Sequence, residues 1–177
     1  MTKRLSRLDS WCARYVLSAF ASFAFLVGTS KAADVTATWD GGSGNWSDAS
    51  RWILNPLGAP VVPNNTSTTF DVVINSGTVT QDFVGGVVVE DIHLAGGTLS
   101  GNGDVTATGT SSWSKGTLSG NGKTTIAAGG TLSVTPFSNS LQRTDRVLEN
   151  AGELSFNQAN YEWFFSNATL NNLAGVR

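Results

Sequence analysis

The chain is poor in the residues from which most recognisable active centres are built. One cysteine, one methionine and one histidine occur in 177 residues. That is too little for a disulfide framework or for a zinc site of the usual Cys/His kind, and no metal or cofactor is expected. Charge is scarce too: 14% of residues are Asp, Glu, Lys or Arg, against about 25% in an average globular protein. A formal charge of −2 gives no basic footprint, so no nucleic-acid partner is expected. What the chain does have is 40% hydrophobic residues, 20 Gly, 9 Phe and 6 Trp, enough for one domain with a core of its own.

The first residues differ from the rest. Lys3, Arg4, Arg7 and Arg14 precede an apolar run from Tyr15 to Val27, followed by the small residues Gly28-Thr29-Ser30 and then Lys31-Ala32-Ala33. A basic start, a 13-residue apolar centre and small residues at its end are the parts of a secretory signal peptide. Ser30 and Ala32 suit the −3 and −1 positions of a cleavage site, so 1–32 is assigned as the signal peptide. The competing assignment is a membrane anchor, but a helix of that length covers only about 20 Å of a roughly 30 Å hydrocarbon core. No membrane span is expected after cleavage. Removal leaves six basic and twelve acidic residues, a formal charge of −6 and no cysteine. A secreted or cell-surface domain of that composition must draw its stability from packing and backbone pairing.

An internal repeat organises the remainder. Gly97-Thr98-Leu99-Ser100-Gly101-Asn102-Gly103 recurs unchanged at Gly116–Gly122, 19 residues later. Looser copies begin at Gly77, Gly130, Gly152 and Ala168, giving successive offsets of 20, 19, 14, 22 and 16 residues. Period-2 segments such as Gly103–Gly109 and Lys123–Ala127 predict short strands with one buried face, and the Gly-Asn-Gly steps predict sharp corners. Short strands and corners repeating near 20 residues predict an all-β fold: a single-stranded parallel β-helix, or β-solenoid. Right-handed coiling is the prior for parallel crossovers. Such coils stack about 4.8 Å apart. Val79, Leu99, Leu118, Leu132, Leu154 and Leu170 each stand two residues into a copy, and are expected to form one internal column. Each would contribute roughly 1.5–3 kcal/mol on burial, and Leu118→Asp should abolish cooperative folding. The alternative is an antiparallel sandwich with Gly-rich hairpins.

Residues 33–70 form a Trp/Gly-rich N-terminal cap, and the coils are assigned to 71–177. The cap holds Trp39, Trp46 and Trp52 within 14 residues. Two uses are open for such a cluster. It could present aromatic faces to sugars, or it could close the open end of the solenoid, where unpaired edges template aggregation. Trp39, Trp46, Trp52 and, in the coils, Trp113 are the candidate ligand-contact aromatics.

The Trp39-Asp40-Gly41-Gly42-Ser43-Gly44-Asn45-Trp46-Ser47-Asp48 segment and the G-T-L-S-G-N-G coils resemble bacterial exported β-helix repeat proteins. These are autotransporter-passenger-like and adhesin-like surface proteins with Gly/Thr/Asn-rich strand repeats. The likeness runs from about Thr38 to Arg177, and its motifs speak for architecture more than for activity. It implies a structural or adhesive role at the cell surface, with surface glycans or other extracellular macromolecules as partners. Members of that group are usually longer and carry an anchor, so this chain is expected to be truncated at its C-terminus. An open last coil near Arg177 would self-associate.

Catalytic chemistry has little to draw on. Polysaccharide-cleaving β-helices need clustered carboxylates, whereas eleven of the twelve acids here (Asp40, Asp48, Asp71, Asp82, Glu90, Asp91, Asp104, Asp145, Glu149, Glu153, Glu162) are scattered along the sequence from the cap onward. Glu90 and Asp91 should point to opposite faces of a strand. Asp104 and Lys123, 19 residues apart, should form a surface ion pair on adjacent coils. His93 should face outward. The expectation is therefore a non-enzymatic scaffold without catalytic residues. The alternative is the N-terminal part of a polysaccharide-degrading β-helix enzyme whose catalytic residues lie outside this chain.

Overall fold

Strand-forming segments alternate in burial along almost their whole length, as in Phe70–Ile74 and Thr131–Val134, and this period-2 pattern sends one side of each strand inward. The computed structural model describes residues 33–136, 141–157 and 164–173. The expected signal peptide, Glu162 and the chain end at Arg177 lie outside the described residues. The fold is nearly all β, a parallel β-solenoid of about four turns.

Three parallel ladders run along it. The first stacks β1 (Val35–Trp39), β4 (Phe70–Ile74), the start of β7 (Asp91–Gly101), the start of β9 (Thr110–Leu118), β11 (Thr131–Val134) and β14 (Glu153–Phe156). The second stacks β2 (Ser43–Asn45), β5 (Thr78–Gln81), the ends of β7 and β9, β12 (Leu141–Thr144) and β15 (Phe164–Ser166). The third stacks β6 (Val87–Val89), β8 (Val105–Ala107), β10 (Lys123–Ile126), β13 (Val147–Asn150) and β16 (Thr169–Asn172). One strand breaks the rule: β3 (Trp52–Asn55) pairs antiparallel with β1 and covers its outer edge.

The identical heptapeptides lie directly over one another, Thr98 on Thr117 and Leu99 on Leu118. Their first glycines are required by geometry. Gly97 and Gly116 have φ of +65° and +102°, and a Cβ at Gly116 would stand 2.5 Å from the Gly97 carbonyl oxygen. Any side chain there would meet backbone of the coil below.

The expected single column of six residues is divided among three. Val79, Leu99 and Leu118 do stack in register. Leu132 and Leu154 instead belong to the first ladder, where Leu132 pairs with Ser111. Leu170 pairs with Leu148 on the third. The reason is the turn length. Offsets of 19 and 20 residues carry the chain once round, whereas the 14 residues from Gly116 to Gly130 fall short of a turn and land on a different face.

Candidate functional site

None of the four candidate ligand-contact tryptophans lies on the surface. Trp39, Trp46, Trp52 and Trp113 are all buried, Trp46 completely, so none offers a ring face to a ligand. β1 and β3 pair Trp39 with Trp52 across the antiparallel edge. Trp52 meets both Trp39 and Trp46 edge-on, with ring centroids 4.9 Å apart in each case. In the cap the three indole N–H groups are used: Trp39 donates to the Gly42 carbonyl (2.7 Å), Trp46 to that of Pro63 (2.9 Å) and Trp52 to that of Trp46 (2.9 Å). Arg51 lies over the Trp39 ring and pairs with Asp40 at 3.1 Å. Edge-to-face geometry with satisfied N–H groups is what packed aromatics adopt. The cluster is a plug over the first coil.

A second polar feature lies inside the corner formed by the two Gly-Asn-Gly steps. Arg146, fully buried, reaches from the start of β13 down across the corner. It donates to the carbonyls of Gly101 (3.4 Å), Ser119 (3.2 Å), Gly103 (3.2 Å) and Lys123 (3.3 Å), and to the Thr124 hydroxyl (2.8 Å). Gly122 makes room: a Cβ there would stand 3.0 Å from an Arg146 guanidinium nitrogen. Burial lowers the Arg146 pKa to about 10, opposed by the nearby Asp104 charge, so the group remains charged at neutral pH. Below it, buried Gln81 donates to the Asp104 carbonyl (3.0 Å) and accepts from the Phe83 N–H (2.8 Å). These side chains add donors to corner carbonyls, two of which, Gly101 and Asp104, also accept the backbone N–H groups of Gly122 and Val87.

The titratable cluster lies elsewhere, on the outer side of the first ladder. Register places Asp71 of β4 against Asp91 of β7. Two positions along β7, His93 Nδ1 lies 2.8 Å from Ser112 Oγ of β9. Asp71 Oδ1 and Asp91 Oδ1 are buried without a hydrogen-bond donor. Burial pushes the Asp91 carboxyl up to about 7, helped by the charge of Asp71, by a hydrogen bond to it that only the protonated form can make and by the charge of Glu90, while the Thr110 backbone N–H opposes the shift. A carboxyl that keeps its proton so near neutrality can donate it, which a scattered surface acid cannot.

Two expectations about the acids are corrected, one here and one on the third ladder. Glu90 and Asp91 do not diverge. A Cβ on Gly109 would lie 2.5 Å from Asp91 Oδ1 and 3.1 Å from Glu90 Oε1. Glu90 sits in the bend before β7, where strand alternation does not hold. Asp104 and Lys123 are neighbours but not an ion pair: Asp104 Oδ1 accepts the Lys123 backbone N–H (2.7 Å), and Lys123 Nζ reaches Glu149 at 3.1 Å. The signal for the acid pair was present in the sequence. Asp71 and Asp91 are 20 residues apart and His93 and Ser112 are 19 apart, each one turn of the repeat.

Among the described residues no three His, Cys, Asp or Glu side chains close around a point that could hold a metal. A recess of about 560 Å³ opens between loop 81–86 and the corner at 101–104, lined by Asp82, Phe83, Asn102 and Asp104 among others. Asp82 is already engaged by the N–H and hydroxyl of Ser47. A second, of about 310 Å³, lies beside the cap against Val35, Leu54, Pro56 and Phe70. Neither recess is lined by the acid pair. No helix among the described residues is long and apolar enough to cross a membrane. In comparisons with known proteins, no family model matches the chain, and neither a curated protein nor a solved structure matches it.

Proposed function

We propose that this chain is an exported β-helical scaffold, non-enzymatic, with a structural or adhesive role at the bacterial cell surface. The observation that carries the proposal is the use made of each side of the coil. On the second ladder Val79, Leu99 and Leu118 are turned inward, and the alternate register positions form columns of small polar groups: Thr78, Thr98 and Thr117 on one line, Thr80 and Ser100 on the next. An extended solenoid with a repetitive polar face is a form suited to contact over a long surface. The basic, apolar and small-residue segments of 1–32 support export. Glycan contact would fall on the Thr/Ser columns and the recess beside Phe83 and Asn102, since the tryptophan faces are occupied.

The test is expression of the full chain, with a C-terminal tag, in a bacterial host. Fractionation should recover a product outside the cytoplasm whose N-terminus is Ala33, and that product should bind a glycan array or insoluble polysaccharide. An uncleaved chain retained in the cytoplasm would overturn the export proposal, and an exported product that binds nothing would reduce it to a structural role. One observation favours the rival, a polysaccharide-degrading enzyme: the Asp71–Asp91 pair places two carboxyls together. Release of reducing ends from pectin or alginate, lost in Asp71→Asn, would support that rival.

A further inference from the structure

Parallel stacking puts side chains of equal register about one rung, roughly 4.8 Å, apart. At β4 and β7 the stacked pair is Asp71 and Asp91, and two ionised carboxylates held that close repel each other. The groups packed around them do little to relieve the repulsion. From β1, Thr36 stands in register with Asp71 and brings no charge. From the bend before β7 comes Glu90, another acid, against Gly109, which has no side chain to separate it from Asp91. From β9 comes the Thr110 N–H, a donor to Asp91. His93, on the same face of β7, is turned to Ser112. Lys115 of β9 stands opposite Ala95, further along the strand. Arg51 and Lys123 pair with Asp40 and Glu149 instead, and Arg146 is held inside the corner. One carboxyl oxygen of each acid is buried with no donor facing it, and a proton between the two would supply one.

We propose that Asp71 and Asp91 form a proton-held latch between successive coils: one shared proton ties β4 to β7 in mild acid, and its loss loosens that seam as the pH rises. Asp91 titrates at about 7 in the folded chain, against an ordinary value of 3.8. The folded state therefore holds a proton that the unfolded chain releases. The stability this supplies is fully present below the lower value and is lost as pH rises through the upper one. The first coils are then tighter at mildly acidic than at neutral or alkaline pH.

Thermal unfolding of the full chain, followed by circular dichroism from pH 5 to pH 8, tests the latch. Wild type should lose on the order of 3–6 °C in Tm across this range. Asp91→Asn, whose amide can donate to Asp71 at every pH, should be flat over the same range, and Asp71→Asn should flatten the curve from the other side. Carboxyl carbon NMR titration of wild type gives a second measurement that needs no variant to fold: the Asp91 midpoint should lie near 7. Equal pH slopes in wild type and whichever variants fold, or an Asp91 midpoint near the ordinary carboxylate value of about 4, would overturn the proposal.

Discussion

The two ends of the solenoid treat the same kind of ladder residue differently. At the N-terminal end β1 has β4 on one side and antiparallel β3 on the other, and the tryptophans above it are buried. At the other end of the described residues, β14 and β16 each have a described partner on one side. There Phe156 is 53% and Leu170 38% exposed, although they occupy the same columns as fully buried Val134 and Leu148. Burial in a solenoid is thus a property of having a rung on both sides, and a residue's type alone does not confer it. At the N-terminal end the Trp39–Trp46–Trp52 plug with β3 supplies a cover that is not a coil.

Substitutions can break or sharpen that contrast. The largest effect is expected inside the stack, where Leu118→Asp would bury an unpaired carboxylate between coils and abolish the cooperative melt; a variant that unfolds like the parent would contradict the column. Trp46→Ala should cost about 3–5 kcal/mol by opening the plug, while Leu170→Ala, already exposed, should cost under about 1 kcal/mol. Denaturant unfolding measures both, and equal costs would erase the difference between the ends. Arg146→Met keeps the length and loses the guanidinium, which removes its donors from the corner carbonyls and the Thr124 hydroxyl at about 1–3 kcal/mol. A near-neutral result would mean water satisfies the corner unaided. The smallest effect belongs to Lys123→Met, which breaks a half-exposed pair with Glu149 worth about 0–1 kcal/mol.

The solenoid was legible because its corners repeat letter for letter. Gly97 and Gly116 must be glycine for the coils to stack, so the constraint is written in the sequence. The column membership of Leu132, Leu154 and Leu170 was not legible from the motif, because Gly-Thr-Leu marks a corner followed by a strand and corners occur on more than one face. The uneven offset of 14 residues carried the warning. Arg146 gave no local sign of burial in its Arg-Val-Leu-Glu-Asn run, since the carbonyls that hold it belong to Gly101, Gly103, Ser119 and Lys123 on earlier coils. The Asp71–Asp91 pair is hard to read for a different reason. Asp71 and Asp91 lie outside the exact heptapeptide copies, so only the turn length of the stack makes them neighbours.

The central claim is the register between successive coils, and a cross-link measures it most directly. Asn102 and Asn121 are exposed equivalents in the two copies of the repeat, with Asn121 Nδ2 3.4 Å from Asn102 Oδ1. Stacked rungs bring such positions within disulfide reach. In a chain with Cys12→Ser, the pair Asn102→Cys/Asn121→Cys should oxidise to an intramolecular disulfide in the folded monomer. Two free thiols, or cross-linking only between molecules, would contradict the stacked coil.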